Sequence, residues 1–162
     1  MTDEHAPGST PVTGKSIRYR RAKFSTRLYD DCLYTAAHAW LRREEGGLWQ
    51  VGYTHFATRM LGDPVELDFE SKEGDSVEKG QEVGWLEGFK AVSDIYSPLP
   101  GLFRGGNDAL LTDIELLSRD PLQSGWLYRL EGEPDSDCLE RSAYISVLDA
   151  AIDRILGNKA PS

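Results

Sequence analysis

A primary amine on a four-carbon stem can carry an acyl group into another protein's active site if the backbone presents it at a point of reversal. Lys90 stands at such a point, in the run Glu87-Gly88-Phe89-Lys90-Ala91-Val92-Ser93-Asp94. Apolar Val83, Trp85 and Leu86 lead in and Val92, Ile95 and Tyr96 lead out, so the segment reads as a β-hairpin with Lys90 at its tip. Gly88 suits the reversal because it tolerates backbone angles that a Cβ disfavours. Any single turn lysine is more often an ordinary solvated one, but here turn-and-strand units bracket the hairpin on both sides. Glu73-Gly74-Asp75-Ser76-Val77-Glu78-Lys79-Gly80 precedes it, and Tyr96-Ser97-Pro98-Leu99-Pro100-Gly101-Leu102-Phe103 follows. Glu82, Glu87 and Asp94 give the surroundings of the lysine an acidic character suited to recognition by charge complementarity.

Other chemistry is poorly provided for. Cys32 and His38 share a neighbourhood, yet no oxyanion loop or third partner accompanies them. His5, His38 and His55 have no ligand-like spacing with Cys32 and Cys138, so no metal site is expected. Those two cysteines are far apart and read as reduced thiols. A net charge of -9 excludes sequence-independent nucleic-acid binding, which needs clustered basic charge. No apolar run approaches the roughly 20 residues needed to span a bilayer. Met1-Thr2-Asp3-Glu4 opens neither a secretory signal nor a transit peptide, which gives a cytoplasmic expectation and no membrane partner.

The elements that must position Lys90 are short. Between Leu33 and Leu130, apolar runs such as Val65-Glu66-Leu67-Asp68-Phe69 alternate with Gly, Pro and Asp turns, which predicts a mainly β sandwich or barrel. His55–Met60 and Asp108–Leu111 are expected to be short helices. Residues 1–30 read as a flexible basic extension, with Lys15, Arg18, Arg20, Arg21, Lys23 and Arg27 in a run free of acids. An acidic, Pro134-containing linker is expected over 132–141. Ile145, Leu148, Ile152 and Ile155 then fall at helical spacing, predicting a C-terminal helix over 142–157 packed on the body.

The bracketed hairpin lysine resembles the lipoyl and biotinyl carrier domains, and the absence of flanking methionines favours the lipoyl branch. Tyr34-Thr35-Ala36-Ala37-His38-Ala39-Trp40, Val51-Gly52-Tyr53-Thr54-His55-Phe56-Ala57, Leu61-Gly62-Asp63 and Gly125-Trp126-Leu127 follow in the order seen in H proteins of the glycine cleavage system. The resemblance covers about Tyr34 to Leu130. It implies a barrel-sandwich hybrid over 31–131, with lipoate attached to Lys90 by a lipoate-attaching enzyme. Glu87, Gly88, Phe89, Asp94 and His38 would then form the environment of the arm. The family's arm carries an aminomethyl group between glycine decarboxylase, aminomethyltransferase and dihydrolipoamide dehydrogenase, as a non-catalytic carrier. The cofactor then holds the chemistry and the protein supplies placement.

Two departures from the family pattern bear on cargo. Ala39 stands where members usually carry Glu, and Ala37 where a small hydroxyl residue is common. A partly buried ammonium without a carboxylate partner is costly. Gly88-Phe89 replaces the usual Ser-Val or Ser-Ile before the lysine, whereas Asp94 keeps the acidic position after it. The resemblance therefore allows a second reading, an H-like lipoate carrier of another pathway, such as heterodisulfide-reductase-like sulfur oxidation.

Overall fold

The computed structural model describes residues 14–157. After a hairpin of β1 (Ser16–Arg21) and β2 (Phe24–Tyr29) come β3 (Cys32–Tyr34), β4 (Ala39–Arg43), β5 (Leu48–Tyr53) and α1 (His55–Leu61). β6 (Pro64–Phe69), β7 (Ser76–Val77), β8 (Glu82–Gly88), β9 (Val92–Tyr96) and β10 (Gly101–Gly106) follow. Two one-turn helices, α2 (Ala109–Thr112) and α3 (Leu116–Arg119), lead to β11 (Tyr128–Gly132) and the long α4 (Arg141–Gly157). The chain is mainly β, as its alternation of short apolar runs and turns demands. Six strands form one antiparallel sheet in the order β3-β4-β5-β11-β10-β7, and three form a second, β6-β8-β9. The two halves share a core in which Leu41, Val83, Leu99, Tyr128 and Leu130 are wholly buried. This is the barrel-sandwich arrangement anticipated from the sequence.

A second core lies under the ends of the chain. Tyr34 and Tyr144 stack at 4.6 Å with their rings nearly parallel. Buried Trp40 donates from its indole to the Pro121 carbonyl at 2.9 Å. α4 turns Tyr144, Leu148, Ala151 and Ile152 inward, a stripe at helical spacing. Ile155, expected in that stripe, is exposed because the last turn, from Asp153 onward, projects past the body. The preceding segment follows an acidic course, held by the isolated bridge between Tyr34 and Leu139 and by ion pairs from Lys79 to Asp135 and Asp137.

The basic extension differs from its expectation in residues 16–29. They pair from Ser16 opposite Tyr29 to Arg21 opposite Phe24. Every second side chain supplies the reason: Tyr19, Phe24 and Leu28 share one face and are buried, while Arg18, Arg20 and Arg27 stand on the other. The Tyr19 hydroxyl donates to Asp149 at 2.7 Å, and Arg21 makes a two-pronged contact with Asp153, so β1 is fixed to α4. Residues 1–13 of that extension lie outside the described residues.

Candidate functional site

The lysine hairpin is built by β8 and β9, whose register runs from Glu82 opposite Tyr96 to Glu87 opposite Val92. Glu87 and Gly88 belong to β8, so the reversal itself is Phe89-Lys90-Ala91, closed by a hydrogen bond from Gly88 N–H to Ala91 O at 2.8 Å. Along the return strand, side chains alternate between faces, and of its apolar residues only Ile95 points inward and is buried. Val92 and Tyr96, on the opposite face with Asp94, stand exposed.

Helix α1 holds the tip in place from across the chain. Lys90 N–H donates to Leu61 O and Phe89 N–H to Asp63 O, each at 2.8 Å. Two glycines make this approach possible. Gly62 ends α1 at φ 81°, and a Cβ there would lie 2.9 Å from Lys90 Cγ. Gly88 is needed for a different reason from the one the sequence suggests. Its backbone is outside the left-handed region, but an added Cβ would sit 2.2 Å from Leu61 O. The Lys90 amine, thus carried on a fixed backbone, is exposed and makes one long contact of 3.5 Å with Arg59 O. Phe89 is 85% exposed and, with Lys90, His55 and Arg59, lines a shallow hollow of about 230 Å³.

Beside the tip opens a larger cleft of about 660 Å³. Met60 and Leu61 of α1 form one wall, Asp94 and Tyr96 of β9 another, His38 a third, and Cys138 lies on the side of the linker. Of the residues singled out from sequence, Asp94 and His38 meet here, whereas Glu87 sits half-buried in β8, away from the cleft. The Tyr96 hydroxyl donates to Asp94 Oδ2 at 3.2 Å. His38 occupies a strained backbone position at φ 72°, and its Nδ1 lies 2.7 Å from Tyr144 Oη. Tyr144 also bonds Thr54, the N-cap of α1, at 3.1 Å. Burial lowers the His38 pKa from 6.5 to about 4, so the ring is neutral near pH 7. Lys79 reaches the cleft, but its charge is matched by Asp135 and Asp137.

Cys138 joins the cleft, and buried Tyr144 stands behind His38, from segments distant in the chain. Both cysteines are free; burial pushes the Cys32 thiol up to about 12 and raises that of Cys138 as well. Among the described residues no His, Cys, Asp and Glu gather as a metal site, and no helix is long and apolar enough to cross a membrane.

A lysine on an anchored hairpin tip beside a cleft is a carrier's geometry, and comparison with known proteins bears directly on it. The family model of the glycine cleavage H-protein matches residues 32–144. A glycine cleavage system H protein of Listeria monocytogenes serotype 4b is 37% identical over 122 residues, covering 74% of this chain and 96% of its own. The chain belongs to the glycine cleavage H-protein family. An Escherichia coli O139:H28 H protein is 35% identical over 119 residues, covering 72% and 92% respectively. The crystal structure of an H protein from Mycobacterium marinum superposes with a TM-score of 0.68 at 31% identity, covering 75% of this chain and 99% of that one. Membership of this family of lipoyl carriers accounts for the barrel-sandwich core. The β1–β2 hairpin and most of α4 lie outside the matched residues.

Proposed function

We propose that Lys90 is the attachment point of a lipoyl group and that the chain carries an aminomethyl group between glycine decarboxylase, aminomethyltransferase and dihydrolipoamide dehydrogenase. The observation that carries this reading is the exposed Lys90 amine on a backbone clamped to α1, next to a cleft of about 660 Å³. The residues fit the group: acylation would leave the clamp untouched, because the clamp uses backbone atoms alone. When bound, the lipoyl group supplies the sulfur chemistry, and the protein supplies orientation and shelter.

The charges lining the cleft support a cationic cargo. Asp94 contributes a carboxylate, His38 is kept neutral by burial, and Lys79 is matched by two aspartates. A carboxylate in a part-enclosed site stabilises an ammonium that would otherwise lose hydration without compensation. Burial and the neighbouring Asp94 raise the pKa of Glu82, a response to the negative potential around Asp94. The protein is a subunit without turnover of its own, and the lipoate-attaching enzyme is its first partner.

One observation favours the second reading, a lipoate carrier of a pathway such as sulfur oxidation. Ala37 and Ala39 flank His38 in the cleft wall and present no charge to a cargo. The readings separate when the lipoylated protein is mixed with glycine and the decarboxylase. Release of CO2 supports the glycine carrier; no release from material lipoylated at Lys90 removes it.

A further inference from the structure

The β1–β2 hairpin carries a concentration of charge that the fold leaves unused. Strand register puts Arg18 directly opposite Arg27, with Arg20 two residues along on the same outward face, and Lys23 lies in the turn. Like charges directly opposite each other destabilise a strand pair. All four side chains are exposed, and among the described residues none has an ion pair; Arg27 bonds only the Ser16 hydroxyl. Arg21, on the inward face, is the member of the run that pairs with acids of α4. A chain of net charge -9 therefore keeps an acid-free, cationic strip on one surface. The hairpin also precedes the residues matched by the family, whose fold does not depend on it.

The position of this strip is informative. Phe24 stacks on His55 at 5.8 Å, meets Phe56 edge-on at 5.5 Å and lies under the Arg59 guanidinium. His55 and Arg59 line the hollow that contains Lys90, and His55 also borders a groove of about 220 Å³ along Ser25, Thr26 and Tyr29. His55 borders both hollows and so links Ser25 and Tyr29, on the outward face of the hairpin, to the surroundings of Lys90. An enzyme that meets the far end of a long arm need not touch this region. The enzyme that attaches the arm must bring its acyl carbon within about 3–3.5 Å of Nζ, which forces its body against the flanks of the tip.

We propose that the outward face of the β1–β2 hairpin docks an acidic surface of the lipoate-attaching enzyme and so delivers Lys90 to it. This rests on Lys90 being the attachment site. The reaction joins Nζ to the acyl carbon as an amide, with release of the activating group and of the amine's proton. The hairpin takes no part in that bond exchange and acts on encounter. Opposed charged surfaces raise association rates by about 10- to 1,000-fold and do so less at high ionic strength. Nucleic acid is the poorer occupant, since the acidic body would repel a polyanion.

The test uses the full chain and the lipoate-attaching enzyme purified from the same cell with its activated lipoyl donor. Attachment at Lys90 is followed by mass for the native protein, for R18E/R20E/R27E and for the neutral R18Q/R20Q/R27Q. The expected result is a fall in kcat/KM of about tenfold or more for the reversed variant, carried by KM, with a smaller fall for the neutral one. Raising ionic strength from about 0.05 to 0.3 M should slow the native protein, leave the neutral variant little changed and speed the reversed one. Equal kcat/KM for all three, or a loss in kcat alone, would overturn the docking surface. Sedimentation showing that the native protein self-associates through this face, and the reversed variant does not, would also overturn it by naming a second copy as occupant. If Lys90 is modified normally in every variant, the docking proposal alone fails; if native Lys90 accepts no lipoyl group, both proposals fail.

Discussion

Replacing Gly88 with alanine adds one methyl group, and it would land 2.2 Å from Leu61 O and 2.8 Å from the carbon of that carbonyl. Ordinary contact at a Cβ begins near 3.4 Å, so the hairpin tip must retreat from α1 by about 1 Å. That retreat stretches the hydrogen bonds from Lys90 N–H to Leu61 O and from Phe89 N–H to Asp63 O, now 2.8 Å, past useful range. Each bond is worth about 1 kcal/mol net, while alanine restores about 0.4–1 kcal/mol by stiffening the unfolded chain. The expected loss of stability is therefore about 1–2 kcal/mol, read as a lower urea midpoint with an unchanged slope. Lipoylation should suffer more, because a displacement of about 1 Å at a reacting atom can slow a reaction about 100-fold. The opposing atom is main chain, so trimming Leu61 to alanine in the same protein should give no relief. A stability change below about 0.5 kcal/mol together with an undiminished attachment rate would refute the clamp.

Other substitutions probe separate parts of the molecule. His38→Asn keeps a residue tolerant of φ 72° but removes a ring whose pKa burial lowers from 6.5 to about 4. The unfolded chain takes up that proton first, so this contribution to native stability is whole above pH 6.5 and drains away toward pH 4. Thermal midpoints between pH 7 and 5 should fall less steeply in the variant, and parallel curves would count against a buried neutral imidazole. Arg42 is buried, reaches Asp31 at 3.2 Å and Leu122 O at 2.7 Å, and stacks on Trp40. Arg42→Ala should cost about 3 kcal/mol in chemical denaturation, and a loss under 1 kcal/mol would show the network to be dispensable. Phe89→Ser, at a side chain 85% exposed, should leave stability within about 0.5 kcal/mol; a larger drop would mean that the ring packs in solution.

Much of the fold is legible because local signals agree with it. The turn residues around Glu73–Gly80 and Pro98–Gly101, the alternation around Lys90 and the short helix after Thr54 all report structure within a few residues. The site is less legible where contacts join distant residues. That Leu61 and Asp63 grip the tip, and that Tyr144 from α4 bonds His38, follows from packing between segments far apart in the chain. The N-terminal hairpin is hidden for another reason: six basic residues dominate the composition of the run, although Tyr19, Phe24 and Leu28 already mark a buried face at a period of two. Val92 and Tyr96 are exposed because they share the face of Asp94, opposite Ile95, in a strand that buries one face only.

The state of the Lys90 amine decides whether this chain carries a lipoyl group. Intact mass of the protein isolated from its native cell, followed by mapping of the peptide that contains Lys90, reads that state directly. A gain equal to one lipoyl group, confined to Lys90 and abolished in Lys90→Arg, is the expected result. An unmodified chain in cells that lipoylate other proteins, or a lipoyl group on a different lysine, would contradict it.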